Sequence, residues 1–140
     1  MAITFPGRRL FIPQGISLIQ LVLTFFYGTW LGFSPSIVNL HCLLLLLSLC
    51  FLRLPLILLA LTTAMAWVLG WVGVDYVVDT LGLKLLREPA LANLWTQLYN
   101  APVLPWTRFN NSMVLGAAAL SFILLPVWFG VGLSLRRRAG

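Results

Sequence analysis

Residues 14–33, 36–52, 54–74 and 113–135 contain no Asp, Glu, Lys or Arg, so all twelve charged residues fall between these stretches or at the chain ends. A helix rises about 1.5 Å per residue and a bilayer's hydrocarbon core is about 30 Å thick, so about 20 apolar residues suffice for a crossing. The pattern predicts an all-α membrane protein. It would be a single membrane domain over residues 1–140, with about four transmembrane or membrane-embedded helices and one amphipathic helix on the outer side. The predicted spans are about 14–33, 36–53, 55–74 and 112–135, with an outer polar segment at 75–111.

Punctuation residues set these bounds. Ser34-Pro35-Ser36 interrupts after the first span, Ser34 as a cap and Pro35 in the first turn, where its missing N–H costs nothing. Arg53-Leu54-Pro55 closes the second span, and Asn110-Asn111-Ser112 offers caps for the fourth, in which Pro126 predicts a kink. Whether the Ser34-Pro35 break joins two full crossings or forms a re-entrant hairpin stays open. Within the polar segment, Leu91, Leu94, Trp95, Leu98 and Tyr99 recur at helical spacing after Pro89, which predicts an amphipathic helix lying along the outer surface or packed over the helix ends, stopped by Pro102 and Pro105. Arg8 and Arg9 precede the first apolar run as in a signal peptide, but no small-residue cleavage site follows, so a retained anchor is expected.

Composition agrees with the pattern: 61% of residues are hydrophobic and 9% charged, against about a quarter charged in soluble domains. The net charge of +6 does not imply nucleic acid, because the basic residues flank apolar spans instead of clustering with stacking groups. With four crossings, Arg8, Arg9, Arg53 and Arg136 to Arg138 share one side without an acidic residue, while Lys84, Arg87 and Arg108 face Asp75, Asp79 and Glu88 on the other. The positive-inside rule then puts both termini in the cytoplasm, and Trp30, Trp67, Trp71, Trp95 and Trp106 near the outer interface. Cys42 and Cys50 are too far apart along one helix to bond to each other.

Few residues offer chemistry. Gln20, Thr24, Gly28 and Gly32 line one face of the first span, a candidate helix-docking face that serves internal packing or a partner subunit. Thr63, Ala66, Gly70 and Gly73 form a second small-residue stripe, and Ala117 with Ser121 a weaker third. His41, the single histidine, lies in an apolar run and needs a hydrogen-bonding partner, for which Ser34, Gln20, Asn39 or a carbonyl freed at Pro35 are candidates. Ser34, Pro35, His41 and Arg53 together mark a structural or functional break. Asp75 and Asp79, one turn apart, suit a solvated face better than a cation site. No hydrolase, zincin or phosphate-loop motif occurs, so no catalytic, cofactor-binding or metal-ligating residue is assigned and the expectation is a non-enzyme without cofactors.

The run Gly28-x-x-x-Gly32-Phe33-Ser34-Pro35, then His41 and a Leu-rich stretch to Arg53, resembles a bacterial integral-membrane family of unknown function, catalogued as twenty sixty-two. A second block resembles a narrower branch of it: Pro89-Ala90-Leu91, Leu94-Trp95, Leu98-Tyr99-Asn100-Ala101-Pro102 and Thr107-Arg108-Phe109-Asn110-Asn111. Trp95, Tyr99, Arg108, Asn110 and Asn111 are the candidate motif of the outer segment. The chain departs from the broader family in having Leu54-Pro55 after the arginine and Ser36-Ile37-Val38 after the proline. The resemblance implies the inner membrane of a bacterium with an outer membrane, and a gene paired with a much larger envelope protein. The resulting expectation is an anchoring or assembly subunit for that protein, in contact with the lipid bilayer and serving lipid or envelope-component trafficking. The alternatives are a small homo-oligomeric channel or carrier, with His41 and the Pro35 break lining its path, and, more remotely, an intramembrane enzyme using Ser34 or His41.

Overall fold

A computed structural model describes residues 13, 15–35 and 40–139, and among these the chain is helical without a strand. Helix α1 is Leu18–Phe33. It starts four residues inside the predicted bound at Gln14, a residue outside the described ones, because Ser17 caps it. Ser17 Oγ accepts from Gln20 N (3.1 Å) and Gln20 Oε1 accepts from Ser17 N (2.9 Å), a reciprocal capping box that satisfies two otherwise unpaired donors. Helix α2 is Leu40–Leu49, shorter than the predicted span 36–53; residues 36–39, including Asn39, lie outside the described ones, and the chain leaves the helix in turns at Cys50 and Phe51.

Helix α3, Leu56–Leu69, is parallel to α1, and the register follows from paired contacts. Gly28 faces Thr62 and Leu59, and Gly32 faces Ala66 and Thr63. At the far end Gln20 Nε2 donates to the Arg53 carbonyl over 2.8 Å. Two parallel helices require a return between them, which α2 supplies: Tyr27 Oη meets Ser48 Oγ at 2.9 Å and Ser34 Oγ meets His41 Nε2 at 3.2 Å, an antiparallel pairing with α1.

The predicted end of the third span at residue 74 is not an end. Gly70–Val74 form one wide π-type turn, Gly73 takes φ +121°, and the helix continues as α4, Asp75–Arg87. A positive φ is cheap only for glycine, so Gly73 lets the rod bend without breaking. Residues 75–111 are therefore not one polar loop, because Val78 and Gly82 give α4 a buried face of its own. After a short 3₁₀ turn at Pro89–Leu91 comes α5, Ala92–Asn100, the surface helix expected from the spacing. Its apolar face is divided: Leu91, Trp95 and Leu98 turn inward, whereas Leu94 and Tyr99 are exposed.

Asn111 caps α6, Ser112–Ile123, its Oδ1 accepting from Met113 N (2.9 Å) and Val114 N (3.4 Å). Helix α7, Leu125–Ala139, follows after a 48° bend next to Pro126, which lacks the N–H needed to continue the ladder. Helices α6 and α7 descend antiparallel to α1. Phe26 and Trp30 meet Phe122, Phe25 stacks on Trp128, and Leu18 and Leu21 reach Gly132. Arg53 and Arg136 to Arg138 thus lie at one end of the bundle, and His41, Asp79 and Arg108 at the other.

By length and apolarity one continuous helix, Leu56–Arg87 with 32 residues, is able to cross a membrane, and the bent pair α6–α7 makes a second if counted as one span. Helix α1, at 16 residues, falls short of the predicted length because Ser17 caps it, and α2 ends at Leu49, before the predicted bound at 53, where the chain turns at Cys50 and Phe51. The most apolar window of the long rod is only 22% buried; Leu61, Met65, Val68 and Trp71 face outward there, as do Leu43, Leu44 and Leu47 on α2.

A Cβ on Gly28 would sit 2.6 Å from Thr62 Cβ. We expect Gly28→Leu to force α1 and α3 apart and lower stability by about 1–3 kcal/mol, the usual cost of overpacking. Thermal unfolding in mild detergent tests this; a melting point equal to wild type would remove Gly28 from the interface.

Candidate functional site

The break residues assemble at the end of the bundle away from Arg53. Ser34 closes α1 and donates its hydroxyl hydrogen to Trp30 O at 2.8 Å. A hydroxyl has one hydrogen, so toward His41 Nε2, 3.2 Å away, Ser34 Oγ acts as acceptor and Nε2 carries the proton. The buried Cys42 thiol lies 3.2 Å from the same nitrogen, and Nδ1 is buried. Pro35 is exposed, and Arg53, at the opposite end, takes part through its backbone carbonyl while its side chain is exposed.

The predicted docking face is occupied by the chain itself. Gln20 is held by Ser17 and Arg53 O, Thr24 Oγ1 donates to Gln20 O (2.6 Å), and Gly28 and Gly32 lie against α3. Thr24, Gly28 and Gly32 are buried in this packing and Gln20 is half-buried. The second stripe is also corrected, since the Thr62 and Ala66 side chains face α1 while Thr63 meets Gly32 through its carbonyl, the Asp75 carboxylate covers Gly70, and Gly73 faces open space. In the third, Ala117 and Ser121 are buried, and Ser121 Oγ donates to Ala117 O (2.8 Å). Hydroxyls that bond back to their own helix act as small packing surfaces with no unmet polarity.

Asp75 and Asp79 do not form a joint site. Asp79 Oδ1 accepts from Ser112 Oγ, fastening α4 to the start of α6. Beside it Gly82 abuts the Ser112 carbonyl and Gly116 the Val78 carbonyl, so neither position has room for a methyl group. Among the described residues no three His, Cys, Asp or Glu side chains gather as for a metal ion.

The outer motif is brought together more fully. Trp95 Nε1 donates to Leu85 O over 3.0 Å, which satisfies a carbonyl near the end of α4, and the indole stacks on Phe109 at 6.0 Å. This holds α5 and the segment 104–111 on top of α4. The 3₁₀ turn Leu104–Thr107 ends at Arg108, which has left-handed backbone angles (φ 56°, ψ 35°), and Asn111 N then donates to Arg108 O at 2.9 Å. Tyr99, Pro105, Arg108, Asn110 and Asn111 line an open cavity of about 460 Å³. No acidic side chain lines it.

Tyr27 and Ser48 were not singled out from the sequence. The signal was there: a polar group deep in each of two adjoining apolar runs needs a partner.

Compared with family models, curated proteins and solved structures, the chain shows no match.

Removal of the imidazole leaves Ser34 still bonded to Trp30 O, so His41→Ala loses a bond without orphaning its partner. We expect a loss of about 0.5–1.5 kcal/mol, the net worth of one hydrogen bond, with most of it regained in His41→Gln. Equal melting points for wild type and both variants would show that the Ser34–His41 contact contributes nothing to the fold.

Proposed function

We propose that the chain is a multi-pass protein of a bacterial inner membrane, crossing it four times, with both termini in the cytoplasm. Its role is that of a non-enzymatic anchoring or assembly subunit for a larger envelope protein. The observation that carries this reading is the division of the bundle: wide apolar flanks around α2, α3 and α7, bare arginines at one end, and a compact polar platform of α5 and residues 104–111 at the other. Apolar flanks of this extent have no soluble counterpart unless covered, and a bilayer covers them on all sides.

The register of the helices supports a four-pass reading even though α1 has only 16 residues. The parallel pair α1 and α3 covers the same height, α2 returns between them, and α6 with α7 descends along the whole of α1. Short helices in a bilayer are accommodated by local thinning and by flanking polar groups. The platform projects on the side away from the bare arginines, where the positive-inside rule puts the outside, and it is the part a large envelope partner would meet. The envelope setting itself comes from the resemblance of residues 28–53 and 89–111 to the family named above.

Single cysteines at Ala139 and at Asn93, in a Cys42→Ala, Cys50→Ser background, test the topology with a membrane-impermeant maleimide. Asn93→Cys should react in intact spheroplasts and Ala139→Cys only after lysis; the same sidedness for both would overturn the four-pass reading. For the role, one large envelope protein should co-purify from the native host in mild detergent, and its consistent absence would overturn the anchoring reading.

A further inference from the structure

We propose that the outer cavity between α5 and the start of α6 is a binding site for a phosphate group, presented by a phospholipid headgroup at the membrane surface. The argument is an inventory of what the lining side chains have left to offer. Asn111 spends its carbonyl oxygen on two backbone N–H groups of α6, Met113 N at 2.9 Å and Val114 N at 3.4 Å. What remains is its amide NH₂, a donor. Arg108 has only donors, in a fork that matches phosphate oxygens. The Tyr99 hydroxyl adds a donor, and Asn110 can turn its amide to suit. With no carboxylate in the lining, the one charged side chain there is the Arg108 guanidinium, flanked by amide and hydroxyl groups able to donate, and such a set suits an anion with several acceptor oxygens.

Position favours a headgroup over a free ion. Tyr99 at the cavity and Trp106 beside Pro105 are exposed, and amphipathic rings of this kind settle at the headgroup level of a bilayer. Arg108 is exposed as well, so its guanidinium can reach a phosphate in that layer. The lipid source rests on the membrane reading given above; the phosphate chemistry does not.

One substitution separates binding from folding. Arg108 has a backbone that favours glycine (φ 56°), so Arg108→Gly removes the guanidinium while easing the main chain. Tyr99→Phe, at an exposed position, removes one hydroxyl. Phosphorus NMR of dihexanoyl-phosphatidylglycerol, and separately of inorganic phosphate, is followed against the full chain in dodecyl maltoside, which contains no phosphorus. Wild type should broaden the lipid signal saturably, Arg108→Gly should bind about ten- to a hundredfold more weakly, as expected for losing a charge-assisted hydrogen bond, and Tyr99→Phe should fall between them.

Binding of the lipid and of phosphate, both lost in Arg108→Gly, supports the site, as does binding of the lipid alone. Binding of phosphate alone overturns the headgroup source. Equal binding by wild type and Arg108→Gly, or binding of neither probe by a folded wild type, overturns the site itself. Failure of the four-pass topology would appear in the maleimide experiment and leave the phosphate arm standing.

Discussion

Everything in this bundle follows from two glycines on one helix face. Gly28 and Gly32 let the backbone of α1 approach α3 until Thr62 and Ala66 fill the space a side chain would have taken. In the lipid setting we propose, there is no hydrophobic gain from bringing two apolar helices together, and close backbone packing and a few polar contacts are what would supply the attraction. Gln20 adds one such contact, donating to the Arg53 carbonyl where the chain enters α3. Because the glycines and the glutamine share a face at four-residue spacing, they fix rotation, height and direction together. The pairing is parallel, and a parallel pairing obliges α2 to run back between its partners.

A second close approach repeats the device in a different orientation. Gly82 on α4 and Gly116 on α6 each meet a backbone carbonyl of the other helix, and the Asp79–Ser112 hydrogen bond marks the same crossing. One long rod, bent at Gly73, takes part in both interfaces, with α1 below the bend and α6 above it. Phe33, Ala66, Val78 and Ala117 form the buried cluster where the two interfaces meet. The bend is thus what lets a single helix serve two directions. Without it, α4 would continue along α3 and the platform that Trp95 and Phe109 hold on it would lose its seat.

Much of this was legible in the residues, and the failures have physical causes. The Asn111 cap, the surface helix after Pro89 and the bend at Pro126 rest on local chemistry, which a sequence states directly. The capping box Ser17-x-x-Gln20 was equally local but was passed over, because Gln20 was weighed only as a polar residue inside a span. The continuation of α3 into α4 was missed for a different reason: Asp75 and Asp79 suggest solvent, yet Asp75 covers Gly70 and Asp79 bonds Ser112, so both belong to the fold. Their roles depend on residues distant in sequence. The same holds for the small-residue stripe on α1, which reads identically whether its partner is another protein or the helix 34 residues further along. At the outer site the residue types were evident from one block of sequence, but their convergence on one cavity needed the left-handed turn at Arg108, which no residue type at that position announces.

The two ends of the molecule differ in how they settle their polar groups. At the Arg53 end, the Gln20 side chain accepts from Ser17 N and donates to Arg53 O, and the Ser17 hydroxyl caps the helix, while the side chains of Arg53 and Arg136 to Arg138 stay exposed. At the outer end the accounting is one-sided. The acceptors are used within the fold: Asn111 Oδ1 on the cap, Leu85 O on Trp95, Arg108 O on Asn111 N. Arg108, Asn110 and Asn111 are exposed beside these used acceptors, so what the turn at Arg108 presents is a single guanidinium flanked by amides, and that pairing of charge with hydrogen-bonding groups, more than net charge alone, is what a complement has to match.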